Sequence, residues 1–186
     1  MSEADLAAVA PPPGLGERAA RIRLLALDVD GTLTDGGLGF SSLGVDHKQF
    51  HVHDGQGLRL AQDAGIAIAL ITARNSPIVD LRARELGITH VVQASKDKGA
   101  SLSALCARLG IAAEQAAFMG DDLPDLAAMA IAGLAIAPAN AHPWVRVRTH
   151  WVTRAEGGRG AVREVCDGLL HAQGKAQALI AGLPRP

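Results

Sequence analysis

Six short apolar runs alternate with stretches of helical pattern along this chain, and that alternation narrows the fold more than any other feature. Strands are expected at 22–27, 66–71, 90–92, 116–119, 133–136 and 150–152, with helices at 57–64, 77–86, 98–109, 123–130 and 160–173. Strands separated by helices of this length connect through right-handed crossovers, which makes the sheet mostly parallel and covers both its faces. The expected fold class is therefore α/β, a doubly wound, Rossmann-like sheet. In such sheets ligands collect beyond the carboxyl ends of the strands, so the residues that follow strands are the ones to read for function.

The chain has 186 residues, a length that suits one domain with a substantial core. Only 3% of residues are aromatic and none is Tyr, so Ala, Leu, Ile and Val fill that core. Stacking platforms for single-stranded nucleic acid are not expected. Eighteen Lys and Arg against nineteen Asp and Glu leave a formal charge of −1, with no general attraction for DNA or an anionic membrane. Residues 1–21, with Pro11-Pro12-Pro13, read as a disordered tail without a secretion-signal pattern, and residues 176–186 as a C-terminal tail. No apolar run is long enough to span a bilayer, and a cytoplasmic location is expected. Cys106 and Cys166 lack metal-ligand spacing and read as small buried hydrophobes.

The first strand ends in Asp28-Val29-Asp30-Gly31-Thr32. While extended backbone persists, Asp28 and Asp30 face the same way, and Gly31 lets the second bend toward whatever the first touches. Such a pair can hold a divalent cation or divide nucleophile and proton-transfer roles. An Asp-Gly turn after a buried strand accounts for it equally well. The run 66–71 leads to Thr72-Ala73-Arg74, where a hydroxyl and backbone N–H groups entering a helix suit a phosphate. Thr72 or Ser76 also reads as a cap for the helix starting near Pro77, and Arg74 as a partner for an acid.

After 90–92 come Lys96 and Lys98, the latter opening a helix. A cation there is unfavourable for the helix dipole, which points to a local need for positive charge. The run 116–119 ends in Gly120-Asp121-Asp122-Leu123-Pro124-Asp125, and three carboxylates within five residues are most stable beside a cation. Two Asp-rich strand ends favour this over an acidic helix start. Oxygen ligands without imidazole or thiolate point to Mg²⁺ over zinc. Acids, a hydroxyl and a lysine at successive strand ends are the groups that phosphoryl transfer uses.

One segment interrupts the alternation. Residues 38–53 read as a β-hairpin inserted after the first strand, around turn signals at Ser41-Ser42 and Leu43-Gly44. Leu38, Phe40, Val45, Phe50 and Val52 are too many apolar residues for a lone hairpin in water, so packing on another subunit is expected. His47, His51 and His53 have period-two spacing and read as a polar strand face.

In order along the chain, Asp28-Val29-Asp30-Gly31-Thr32, Thr72, Lys98 and Gly120-Asp121-Asp122 match four motifs of the haloacid dehalogenase superfamily, which the sequence therefore resembles. Asp35-Gly36, the hairpin, Asp54-Gly55-Gln56-Gly57, Ile71-Thr72-Ala73-Arg74 and the stretch from Gly157 to Cys166 are similar to one of its families, the 3-deoxy-D-manno-octulosonate 8-phosphate phosphatases. The similarity runs from about residue 22 to 175. It implies a phosphatase domain without a large cap and a homotetramer joined through the hairpins. It also implies Mg²⁺-dependent hydrolysis of this sugar-acid phosphate in lipopolysaccharide precursor synthesis. Asp28 is implied as the nucleophile, forming an aspartyl-phosphate, with Asp30 as acid and then base. Thr72 and Lys98 are implied to hold the phosphoryl oxygens. Asp28, the backbone carbonyl of Asp30 and Asp121 are implied to hold Mg²⁺, oriented by Asp122 and Asp125. For the substrate, the resemblance implies Asp30 and Arg74, whose guanidinium matches a carboxylate, together with His53 and with Arg159 on the Gly157-Gly158-Arg159-Gly160 loop. His53 stands where the family commonly has Arg; if that arginine reads the substrate's acidic end, histidine gives a weaker, pH-dependent contact.

Three other readings draw on the same pattern. A phosphatase for a nine-carbon ulosonate phosphate shares every catalytic residue. A response-regulator receiver places its acceptor Asp after the third strand, where Gln93-Ala94 stand here, and has no acid two residues beyond the nucleophile. A catalytically silent scaffold has no need for the intact set Asp28, Asp30, Thr72, Lys98 and Asp121.

Overall fold

A computed structural model describes residues 9–42 and 46–181. The first eight residues of the expected N-terminal tail, the turn signal at 43–44 with Val45, and 182–186 of the expected C-terminal tail lie outside the described residues. The described strands are β1 (Leu24–Leu27), β2 (Gly39–Phe40), β3 (Asp46–His47), β4 (Ala67–Ile71), β5 (His90–Val92), β6 (Ala116–Met119), β7 (Leu134–Ala137) and β8 (Trp151–Val152). The helices are α1 (Gly16–Ala20), α2 (Val52–Asp63), α3 (Pro77–Leu86), α4 (Lys98–Leu109), α5 (Leu126–Ile131), α6 (Pro143–Arg146), α7 (Ala161–Ala172) and α8 (Ala176–Ala181).

Six strands form one parallel sheet in the order β5-β4-β1-β6-β7-β8. Successive residues of β1 alternate between two cores. Leu25 and Leu27 pack with α2, α3 and α7, while Leu24 and Ala26 pack with α4 and α5. Burial on both faces is why these strands read as unbroken apolar runs. The chain moves outward from β1 to β4 and β5, then returns to lay β6, β7 and β8 on the other side. That reversal opens a crevice at the carboxyl ends of β1 and β6. The β2–β3 pair is the expected insertion after β1, and no large cap domain is present among the described residues.

The structure moves several boundaries. The expected disordered tail contains α1, whose Ala19 is fully buried and whose Arg18 Nη1 donates to Gly133 O at 2.8 Å. Contact with α7 orders a segment too short to form a helix alone. The expected C-terminal tail contains α8, and Lys175 Nζ donates to Ala64 O at 2.6 Å just before it. The helix expected at 57–64 begins at Val52. Gly55 and Gly57 lower local helix propensity but permit close packing, since a Cβ on Gly57 would meet Arg163 Cδ at 2.9 Å. The hairpin strands consequently stop at His47. His51 is the residue before α2, His53 lies in its first turn, and the two rings meet edge to face at 5.1 Å, so they are not a polar strand face.

Candidate active site

Asp28 continues the register of β1, its N–H donating to Met119 O at 2.9 Å. It shares the parity of Leu24 and Ala26 and so faces the layer of α4 and α5. Lys98 opens α4, which Asp97 caps by accepting from Ala100 N at 2.9 Å. Buried Lys98 Nζ lies 2.8 Å from Asp28 Oδ1 in an ion pair, and donates to Asp125 Oδ1 at 2.6 Å. The other Asp125 oxygen accepts from Asp121 N at 3.0 Å and Asp122 N at 3.1 Å. Asp125 is thus committed to holding Lys98 and the turn after β6.

Asp121 is seated against Gly31. A Cβ on that glycine would lie 2.1 Å from Asp121 Oδ2, and its φ of +87° is in the region that favours glycine. Thr72 is buried beyond β4, pinned by Thr72 N donating to Val92 O at 2.9 Å and Ser95 N donating to Thr72 O at 3.0 Å. Asp28, Asp30, Thr72, Arg74, Lys98, Asp121, Asp122 and Asp125 line one cleft of about 240 Å³.

The electrostatics show what this cleft can hold. Burial, aided by the Asp125 charge and opposed by Lys98, pushes the Asp28 carboxyl up to about 6. Burial followed by repulsion from Asp28, Asp125 and Asp122 pushes Asp121 up to about 7. Burial works against the charge of Lys98, but Asp28 and Asp125 together outweigh it and hold its pKa above the ordinary value. Carboxylate oxygens of Asp28, Asp121 and Asp125 lie within 4.8 Å of one another, and Asp121 Oδ1 is buried without a hydrogen-bond partner. With Asp125 committed elsewhere, Asp28 and Asp121 are the pair suited to a hard divalent cation.

Asp28 and Asp30 line the same cleft, but not as neighbours on one extended strand. The strand stops, and Val29 O accepts from Thr32 N, Leu33 N and Thr34 N at 3.3, 2.9 and 3.0 Å, so Asp30 enters the cleft from a turn. Its carboxylate pairs with Lys48 and lies 3.8 Å from Arg74 Nε. Thr72 is not a cap, because Ser76 is the residue before α3. Asp122 does cap a turn, accepting from Leu123 N at 2.8 Å. His53 and Arg159 line a neighbouring depression with His51, Arg163 and Asp167, not the Asp28 cleft. Arg159 is 3.9 Å from Asp35 and 4.0 Å from Glu156. Its loop is docked: Gly158 N donates to Thr32 O at 3.0 Å, and a Cβ on Gly157 would lie 1.8 Å from Gly31 O.

One residue of this neighbourhood, Lys48, has no signal in the sequence, and a second, Asp54, has a signal without its role. Lys48, just after β3, brings a buried ammonium to Asp30. Nothing in a short polar hairpin distinguishes an inward lysine from a solvated one. Asp54 is buried and accepts from Arg163 N at 2.8 Å and Gly160 N at 3.3 Å, capping α7 from a distant element. Burial raises the pKa of its carboxyl, with the two N–H donors opposing. The Asp54-Gly55 signature marked it, but its partner is more than a hundred residues away.

An aspartate ending the central strand of a parallel sheet, a lysine opening the helix beside it and acids after the neighbouring strand define the haloacid dehalogenase-like hydrolases, and the family model of that description matches residues 84–164. The 3-deoxy-D-manno-octulosonate 8-phosphate phosphatase of Yersinia pestis is 47% identical over 161 residues, covering 87% of this chain and 86% of that protein. That of Escherichia coli K12 is 49% identical over 158 residues, covering 85% and 84%. The phosphatase of this name from Moraxella catarrhalis, crystallised with magnesium ion, phosphate ion and a KDO molecule, superposes with a TM-score of 0.88 at 44% identity, covering 90% of this chain and 96% of that one. The chain belongs to the 3-deoxy-D-manno-octulosonate 8-phosphate phosphatase family.

Proposed function

We propose that this protein hydrolyses 3-deoxy-D-manno-octulosonate 8-phosphate to the free sugar acid and inorganic phosphate, with Mg²⁺ as cofactor. The observation that carries the reading is buried Asp28 between Lys98 and the unpartnered Asp121 oxygen at the end of the central strand. Asp28, Asp121 and the Asp30 carbonyl would hold Mg²⁺, which would supply charge neutralisation for the phosphoryl group. An Asp28 carboxylate oxygen attacks phosphorus and the ester P–O bond breaks, leaving an aspartyl-phosphate. Asp30 gives its proton to the departing sugar oxygen. It then takes a proton from the water that attacks phosphorus and releases Asp28. Thr72 and Lys98 hold the equatorial oxygens throughout.

Arg74 lines the cleft and is half-exposed, which supports its reading the sugar-acid carboxylate. His53 and Arg159 belong to the adjoining depression and act on substrate only where it extends beyond the cleft. Exposed Leu38 and Phe40 on the hairpin support a homotetramer assembled through β2–β3. Two free, buried cysteines and the lack of any described helix long and apolar enough to cross a membrane support a cytoplasmic location.

Steady-state phosphate release over a panel of sugar phosphates, in Mg²⁺ and in chelator, tests the substrate. The eight-carbon ulosonate phosphate is expected to have the highest kcat/KM. A clear preference for a nine-carbon ulosonate phosphate, or equal rates on all members, would overturn the assignment.

A further inference from the structure

The Lys48 side chain is fully buried, and its one described partner is the Asp30 carboxylate. Burying an ammonium costs several kcal/mol unless it is paired, so this contact is built into the fold and is not a surface accident. Arg74 is the other cation near Asp30, but it stands 3.8 Å away and is 47% exposed, where ion pairs contribute little. Asp30 itself sits on the turn that closes on Val29 O, with no described hydrogen bond to its carboxylate besides that from Lys48.

We propose that Lys48 is a positioning residue for Asp30 in phosphoryl transfer, and that the hairpin exists partly to deliver it. The proposal rests on the reading of Asp30 as the proton-transfer residue. In the first step Asp28 forms a bond to phosphorus, the bond from phosphorus to the sugar oxygen breaks, and the Asp30 proton moves to that oxygen. Transfer requires the carboxyl oxygen to stand within hydrogen-bond reach of the leaving group. Lys48 engages Oδ1 and leaves Oδ2, on the Arg74 side, for the reacting oxygen. Lys48 lies one residue past β3, so the hairpin and the acid form one mechanical unit.

Leaving groups separate this role from a structural one. A sugar alkoxide needs a proton to depart, whereas 2,4-dinitrophenolate does not. In rapid-quench experiments Lys48→Met is expected to slow aspartyl-phosphate formation from octulosonate 8-phosphate roughly 100-fold, within the range that general acids contribute. The burst of dinitrophenol from 2,4-dinitrophenyl phosphate should keep its full amplitude and stay within about threefold of the parent rate, because no acid is needed. In an Asp30→Asn background the same change should have no further effect on the sugar phosphate. Equal slowing of both substrates, additive loss in the double variant or no slowing at all overturns the proposal. Lys48→Gln, which keeps a donor, is the second variant. If circular dichroism shows that neither folds, Lys48 is a structural anchor and the proposal fails. Failure of the substrate assignment shows separately, as absent turnover of octulosonate 8-phosphate by the unmodified protein. The comparison is then made with the alkyl phosphate it does hydrolyse.

Discussion

At the scale of single residues, function and stability oppose one another at Asp28. Removing the nucleophile by Asp28→Asn should lower phosphate release at least about 1,000-fold. The same change removes a buried carboxylate whose pKa is pushed up to about 6, so melting in chelator at pH 8 should rise by about 2–8 °C. A variant that loses both activity and stability would show that Asp28 is a structural partner of Lys98 and not a strained reactive group. Gly31→Ala acts in the opposite sense. A positive φ and a Cβ 2.1 Å from Asp121 Oδ2 combine backbone strain with displacement of a cation ligand. Its expected signature is a Mg²⁺ requirement raised at least about tenfold by titration of activity, as for loss of a ligand-supporting contact. An unchanged Mg²⁺ midpoint would remove Asp121 from the ligand set.

At the scale of elements, the hairpin shows where pattern reading succeeds and where packing overrides it. The inserted strand pair was readable; its apolar content also raises the expectation of an interface, and Phe40 is 66% exposed in the single chain. Phe40→Glu with Leu38→Glu should reduce the particle mass by light scattering while leaving the fold intact, because both side chains are exposed. An unchanged mass would place the interface elsewhere. The hairpin's lower boundary was not readable. Gly55 and Gly57 look like helix breakers in isolation, yet both are buried in α2, where the Arg163 side chain leaves no room for a Cβ on Gly57. The same holds for α1, which is ordered by contacts with α7 and by Arg18 reaching Gly133. Local propensity carries no record of a partner helix more than a hundred residues away.

At the scale of the whole molecule, the site couples stability to pH and metal. Asp28 and Asp121 bind a proton more tightly in the folded protein, at about 6 and 7, than at their ordinary 3.8. Their contribution therefore favours the fold below about pH 4, declines as pH rises from 4 to 7, and is lost above that window. Mg²⁺ at about 100 times its Kd adds about 2.7 kcal/mol, or roughly 5–10 °C for a chain of this size. That increment should be much larger at pH 8 than at pH 5, where protons compete for both carboxylates. Equal shifts at the two pH values, by calorimetry, would contradict an Asp28–Asp121 cation site. The sequence by itself determined the parallel sheet, because two-sided burial imposes unbroken apolar runs. It also determined the strand ends that carry Asp28, Thr72, Lys98 and Asp121, because βαβ winding brings all strand ends to one edge. Only tertiary structure decided that Asp30 pairs with Lys48, that Asp125 is committed to Lys98, and that His53 and Arg159 line a different depression. The reason is physical. Periodicity records which face of an element is buried, whereas side-chain pairing across a cleft depends on turns and helix approaches that distant residues set.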